Sequence, residues 1–276
     1  MIRSVDNDDR QLILLMAETW DSVGVLMESL SSEEWLLPSD CPGWTVKDCF
    51  SHLIGIESRL LGRQISEFTL ESEDLLYVRN DLGIKNQIDV VLRRSVSSEN
   101  LIKEFMSVTS ARLDMLKHGY SMTDKRESPD GRVVDGRELI SVRILDCWVH
   151  EQDIRRATGK IGNLTGDSAA HVFDRLYKTL PFILGKRVKL ADGSTAKFIF
   201  QGDDSEIISF GSHAGRARKI ENPDNPSVEL IMDHEIYLLL SCGRIPPDKA
   251  VISDRVEIIG DQDLGSSILS HMNFIP

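Results

Sequence analysis

The chain has 276 residues, 41% apolar and 28% charged, a balance that suits a water-soluble protein with one large or two ordinary cores. Its formal net charge of −12 comes with no basic tract, which disfavours phosphate backbones and therefore nucleic-acid binding. Residues 1–10 hold no apolar signal core, and no apolar run reaches the roughly eighteen residues of a membrane span, so the cytoplasm is the expected compartment.

In chain order, Leu12, Leu15, Met16, Trp20, Val23, Leu26, Met27 and Leu30 recur at helical spacing, and Ser31-Ser32-Glu33-Glu34 breaks the pattern. A turn cluster, Leu37-Pro38-Ser39-Asp40-Cys41-Pro42-Gly43, follows. Thr45 is placed to cap a second helix, with Asp48 at its third position and the periodicity carrying on to about Ile65. A third helical region spans roughly residues 86–118, interrupted near Ser97-Ser98-Glu99 where a new cap is available, and Gly119 stands where a helix ends. Beyond a polar loop through Pro129-Asp130-Gly131, a fourth helix is expected over residues 137–158, stopping at Gly159. Four amphipathic helices with polar connections describe a bundle, the architecture that assembles metal sites between facing helices.

After Gly166 the period changes. One helix is expected over residues 167–184, then strand-like runs at Lys197–Phe200, Glu206–Phe210 and Ser227–Met232. Asp192-Gly193, Gly202-Asp203-Asp204 and Asn222-Pro223-Asp224-Asn225-Pro226 supply turns between them. Residues 234–242 read as helix, 256–259 as strand and 264–272 as helix. The expected fold class is α+β in two domains, an up-and-down four-helix bundle over residues 1–162 and a smaller α+β domain over residues 163–276.

The chemistry concentrates in Asp146-Cys147-Trp148-Val149-His150 and in His52. Asp146 and His150 are four apart on a helical segment, so they leave one face a turn apart. His52 lies on another helical segment, and side-by-side packing would bring it to that pair. Two imidazoles and a carboxylate make the three-ligand, open-position set of a catalytic divalent metal, zinc most often. The apolar neighbours of all three point to buried helices, where a His and an Asp require partners. A metal is one such partner; a direct His–Asp hydrogen bond is another. Cys41, Cys49, Cys147 and Cys242 form no Cys-x-x-Cys pair and read as small hydrophobes, with Cys147 turned about 100° from Asp146 around its helix. Trp44 and Trp148 read as core, and His118, His171, His213, His234 and His271 as structural or solvated.

Two motifs carry a resemblance. Cys41-Pro42-Gly43-Trp44-Thr45-Val46-Lys47-Asp48, running into His52-Leu53 and Glu57, resembles the opening of the actinobacterial mycothiol-dependent maleylpyruvate isomerase family, part of the wider DinB-like group of four-helix metal proteins. Asp146-Cys147-Trp148-Val149-His150-Glu151-Gln152-Asp153-Ile154-Arg155-Arg156-Ala157 resembles that family's Trp-Val-His helix. Leu238–Arg244 and Ile258–Leu264 are similar to its C-terminal domain, which is related to sterol-carrier-like folds. The resemblance spans nearly the whole chain and implies metal ligation by His52, Asp146 and His150. It also implies mycothiol as thiol cofactor, with the metal favouring its thiolate for attack on a small electrophile.

One departure stands out: the family usually has Glu where this chain has Asp146. Asp is one methylene shorter, and metal–oxygen bonds of about 2.0–2.2 Å leave little slack, though a backbone shift or a bridging water closes the gap. Arg244 matches a family arginine near the active-site cleft, suited to gripping a carboxylate of substrate or cofactor bidentately; a surface or helix-capping arginine is the other reading. Glu57 and Asp153 are candidate acceptors that orient metal-bound imidazoles, with an Asp153–Arg156 ion pair as the alternative for Asp153. The expected function is a mycothiol-dependent, metal-containing isomerase or S-transferase; the rival is a non-catalytic metal- or ligand-binding protein on the same scaffold.

Overall fold

Two of the helix starts expected from Ser and Thr reappear as capped starts in the computed structural model, which describes residues 7–63, 68–202 and 205–274. The expected helix end near Ile65 and the Asp203-Asp204 part of one turn lie outside the described residues. The chain divides into two units, Met1–Ala169 and Ala170–Pro276.

Helix α1 (Asn7–Glu28) buries Met16, Trp20, Val23 and Met27, the stripe the sequence displays. Helix α2 (Val46–Leu60) starts at Thr45 in a reciprocal capping box with Asp48. Helix α3 (Asp81–Val91) begins five residues before the expected start, because Asn80 caps it and accepts from the Gly83 amide. Its first turn is mostly exposed and shows no apolar stripe, so periodicity alone misses it. Helix α4 (Ser98–His118) is capped by Ser97 as expected. Strands β1 (Lys125–Glu127) and β2 (Val133–Asp135) form a hairpin around Pro129-Asp130-Gly131, where only a loop was expected; six residues with two valines carry no strand signal. Helix α5 (Gly136–Thr158) then runs to Gly159, which caps it in the left-handed region at φ 67°. The four long helices close a ring in which α1 touches α4 and α5, and α2 touches the same two. Helix α3 packs on the outside of α2.

Helix α6 (Asp167–Tyr177) stops well short of the expected residue 184. Pro181, which has no amide hydrogen to donate, breaks the run into the single turn α7 (Leu180–Phe182) and a wide turn through Arg187. The sheet has strands β3 (Thr195–Gln201), β4 (Glu206–His213), β5 (Arg216–Ile220), β6 (Val228–Asp233) and β7 (Val256–Gly260), in the order β5-β4-β3-β6-β7. Only β3 and β6 run parallel, with Phe198 opposite Leu230 and Phe200 opposite Met232. Edge strand β5, Arg-Ala-Arg-Lys-Ile, buries Ala217 alone, which is why its sequence does not read as a strand. Helices α8 (His234–Ser241), α9 (Pro247–Ile252) and α10 (Gln262–Ser270) complete the unit, with α8 and α10 lying against β6. The core joins Phe198, Phe200, Leu230 and Met232 to Ile236, Tyr237 and Ile268.

Gly55 marks a close approach of α2 to α3. A Cβ there would collide with the Asp89 side chain on α3, so the two helices meet through an absent side chain. In an isolated helix Gly→Ala stabilises by roughly 1 kcal/mol. Here Gly55→Ala is expected to destabilise instead, by the roughly 1–3 kcal/mol of an overpacked contact. Urea unfolding decides the sign, and a raised midpoint would rule out the close approach.

Candidate metal centre

The capping box fixes where α2 begins and hence which way His52 points. Thr45 Oγ1 accepts from the Asp48 amide at 3.3 Å, and Asp48 Oδ2 accepts from the Thr45 amide at 3.0 Å. Asp135 caps α5, accepting from the Glu138 amide at 2.9 Å. Where α2 and α5 face each other, His52 Nε2 lies 3.3 Å from Asp146 Oδ2, and His150 Nε2 lies 3.9 Å from Asp146 Oδ1. The two imidazoles meet edge to face with centroids 4.7 Å apart. One donor atom from each of the three residues lies within 4.8 Å of the others. Bonds of about 2.0–2.2 Å at tetrahedral angles put donors roughly 3.3–3.6 Å apart, so the trio needs only small rotations to hold one ion.

His52 supplies the clearest sign that something belongs between these groups. It is 2% exposed, and neither ring nitrogen has a hydrogen-bond partner among the described residues; the 3.3 Å approach to Asp146 is misaligned for one. A buried imidazole left without a partner costs free energy, and a cation at Nε2 would remove that cost. The residues present fit a divalent metal. Burial pushes His52 down to about 4, which keeps the ring in its neutral, ligating form. Burial opposes ionisation of Asp146, but the Arg143 guanidinium overrides it and holds the carboxyl well below its usual range.

Behind the trio lies a buried charge network. Glu57, fully enclosed on α2, accepts from Arg112 Nε of α4 at 2.9 Å and from Arg143 Nε of α5 at 2.8 Å. Arg143 Nη1 then donates to Asp146 Oδ2 at 2.6 Å. Glu57 therefore does not orient an imidazole, as its place in the motif suggested. It anchors the arginine that aims the carboxylate. Arg143 Nη2 also reaches Cys147 Sγ at 3.4 Å, which accounts for that buried thiol.

The far side of His150 brings Asp153 and two thiols together. Asp153 was read as an ion-pair partner of Arg156 or as an acceptor for an imidazole, and it is both: Oδ1 accepts from Arg156 Nη2 at 2.6 Å while Oδ2 lies 3.2 Å from His150 Nδ1. Cys41 and Cys49, read as small hydrophobes, stand here too. Cys41 Sγ is 3.7 Å from His150 Nδ1 and 3.3 Å from Asp153 Oδ2. Burial opposes a charge on His150, but Cys41, Asp153 and Asp146 outweigh it and push the ring up to about 10. The spacing from Cys49 to His52, three residues on one helix face, was the available signal for the thiols.

Trp44 is likewise not core. It is half-buried, its ring centroid 5.1 Å from His52 and 6.0 Å from His150, and its Nε1 donates to Gln87 Oε1 at 3.0 Å. Trp148 is core, as expected, and donates to the Asn163 carbonyl at 3.0 Å. Of the remaining histidines, His118 is exposed beside Asp114.

Arg244 belongs to the second unit. The Arg244 amide donates to Leu239 O at 2.8 Å and the Gly243 amide to Leu240 O at 3.2 Å, a Schellman ending for α8 with Gly243 at φ 63°. Arg244 Nη1 donates to the Cys242 carbonyl at 2.9 Å. The helix-capping reading thus describes its backbone and one of its side-chain contacts.

Residues 16–155 match the family described as mycothiol maleylpyruvate isomerase N-terminal domain, a stretch that contains His52, Asp146 and His150. Among solved structures, the chain is similar to the mycothiol-dependent maleylpyruvate isomerase at 14% identity and a TM-score of 0.55, covering 91% of this chain and 92% of that one. It is similar to the H52A mutant of that isomerase, so numbered in that protein, at 14% identity, a TM-score of 0.54 and the same coverage. At this identity the likeness speaks for the fold. The search of curated proteins found no match.

The network makes a direct demand on stability. Glu57→Gln keeps the shape but removes the charge that two buried guanidiniums share, and breaking such a pair costs roughly 3–5 kcal/mol. We expect the urea midpoint to fall accordingly; an unchanged midpoint would show that Glu57 anchors nothing.

Proposed function

The chain belongs to the mycothiol maleylpyruvate isomerase family, and on that footing we propose that it is a thiol-dependent, divalent-metal isomerase or S-transferase acting on a small electrophile, with mycothiol as the thiol. The observation that carries this reading is the convergence of His52, Asp146 and His150 around a buried imidazole with no hydrogen-bond partner among the described residues. A bound divalent cation, zinc by preference of the donor set, would supply Lewis acidity that favours the thiolate form of a thiol.

The chain's own residues divide the remaining work. His52 offers a neutral Nε2 donor, His150 would offer its Nε2 on giving up the ring proton that its pKa of about 10 retains, and Asp146 offers the anionic donor. Asp153 Oδ2, 3.2 Å from His150 Nδ1, favours a proton on that nitrogen and so leaves Nε2 for the site. Arg143, held by Glu57, fixes the Asp146 carboxylate against rotation. Trp44 lies against both imidazoles and limits the water that reaches them. Arg244 is proposed to grip a carboxylate of thiol or substrate, where a planar guanidinium gives two parallel hydrogen bonds. No helix among the described residues is long and apolar enough to cross a membrane, and we place the protein in the cytoplasm.

One observation favours the non-catalytic reading. Asp146 Oδ2 already accepts a 2.6 Å hydrogen bond from Arg143, and the side chain is shorter than the Glu usual in the family. A ligand so engaged is a weaker donor, which suits retention of a metal better than rapid exchange of groups on it.

Metal analysis of identically purified variants tests the ligand assignment. Asp146→Ala should lower metal affinity by more than the roughly 10–100-fold that even outer partners of ligands cost, with the fold intact. Asp146→Glu should keep or raise it, and should raise thiol-dependent turnover. Equal metal in wild type and Asp146→Ala would end the assignment, and metal retained with no turnover on any electrophile would select the binding-protein reading. Separately, Arg244→Ala should raise the KM for a carboxylate-bearing partner by roughly 10–100-fold, the worth of a charged hydrogen bond, with kcat little changed.

A further inference from the structure

The second face of His150 has the makings of another site. Cys41, Cys49 and His150 are all buried, and one donor atom from each lies within 4.8 Å of the others. Asp153 Oδ2 adds a fourth donor, 3.3 Å from Cys41 Sγ and 3.2 Å from His150 Nδ1, while Cys41 Sγ and His150 Nδ1 are 3.7 Å apart. Bonds of about 2.3 Å to sulfur and about 2.0–2.2 Å to nitrogen and oxygen, set at tetrahedral angles, place neighbouring donors roughly 3.3–3.8 Å apart. Three measured edges are close to or within that range. The remaining donor, Cys49 Sγ, rests 3.4 Å from Ser39 Oγ and within 4.8 Å of the Cys41 and His150 donors.

The frame around these donors is rigid. The Ser39 amide donates to Trp44 O at 2.9 Å, the Trp44 amide to Cys41 O at 3.0 Å, and the Cys41 amide to Ser39 Oγ at 3.2 Å. Cys49 and Asp153 lie inside α2 and α5, so only Cys41 depends on the loop. Arg156 occupies Asp153 Oδ1 at 2.6 Å, leaving Oδ2 for the cluster and offsetting part of its negative charge.

From this arrangement we propose that Cys41, Cys49, Asp153 and Nδ1 of His150 form a second, sulfur-rich site for a thiophilic divalent cation such as zinc, cobalt(II) or cadmium. Binding takes one proton from each thiol and the hydrogen from Nδ1, all released to solvent, and breaks no other bond. The four protein donors complete a tetrahedron with no open position, so the site is structural in kind. It holds the loop of residues 39–44 against α5. It shares its imidazole with the trio formed by His52 and Asp146, yet its existence does not depend on that trio.

Cobalt(II) is the probe, because sulfur ligation gives it a charge-transfer absorption that nitrogen and oxygen ligands do not. We expect the band in wild type and in Asp146→Ala, where the neighbouring trio is crippled. It should fall by about half in Cys49→Ala and vanish in Cys41→Ala/Cys49→Ala. A wild-type protein and an Asp146→Ala variant that bind cobalt without the band would overturn the proposal. So would a band that survives in the double variant, or a protein purified under reducing conditions that is lighter by the two hydrogens of a Cys41–Cys49 disulfide. Failure of the Asp146 metal assignment with the band intact would sink the first site alone.

Discussion

One carboxylate with no contact to water governs the bundle. Glu57 on α2 takes hydrogen bonds from Arg112 on α4 and Arg143 on α5, so three of the four long helices meet at a single buried charge. Two guanidiniums enclosed in a helical core would be ruinous without it, and it would be ruinous without them. The arrangement has a directional consequence. Because Glu57 holds Arg143 by its Nε, the Nη1 of the same guanidinium is aimed at Asp146, and the carboxylate is set before any ligand arrives. Packing and site geometry are thus decided by one network.

The helices that bury a stripe are the ones legible in the sequence. Residues 137–158 show an N-terminal polar start, a helical repeat and Gly159, and α5 follows these limits to within a residue. Strands β3, β4 and β6 read well because alternate residues such as Phe198 and Phe200 enter the core. What escaped was surface structure. The β1–β2 hairpin and β5 are short, charged and paired along edges, so backbone hydrogen bonds rather than side-chain burial define them. The start of α3 escaped for a related reason: the Asn80 cap decides it.

The site divides in the same way. Asp146 and His150 were legible because one helix carries both, and His52 because its apolar neighbours mark a buried helix facing them. The roles of Glu57, Trp44 and the two thiols were not, since each depends on which side chain a different segment brings opposite. A sequence shows who shares a helix face. It does not show who faces it across a gap.

The donors of the trio come from two separate helices, and that has a mechanical side. A cation held by His52 on α2 and by Asp146 and His150 on α5 would be a cross-link between distant stretches of chain. Unfolding would have to release it, so its binding free energy is added to the stability of the whole bundle and grows with the free ion concentration. Heat resistance of the folded bundle would then become a gauge of how much ion the surroundings supply, and a chelator would lower it to that of the ion-free chain.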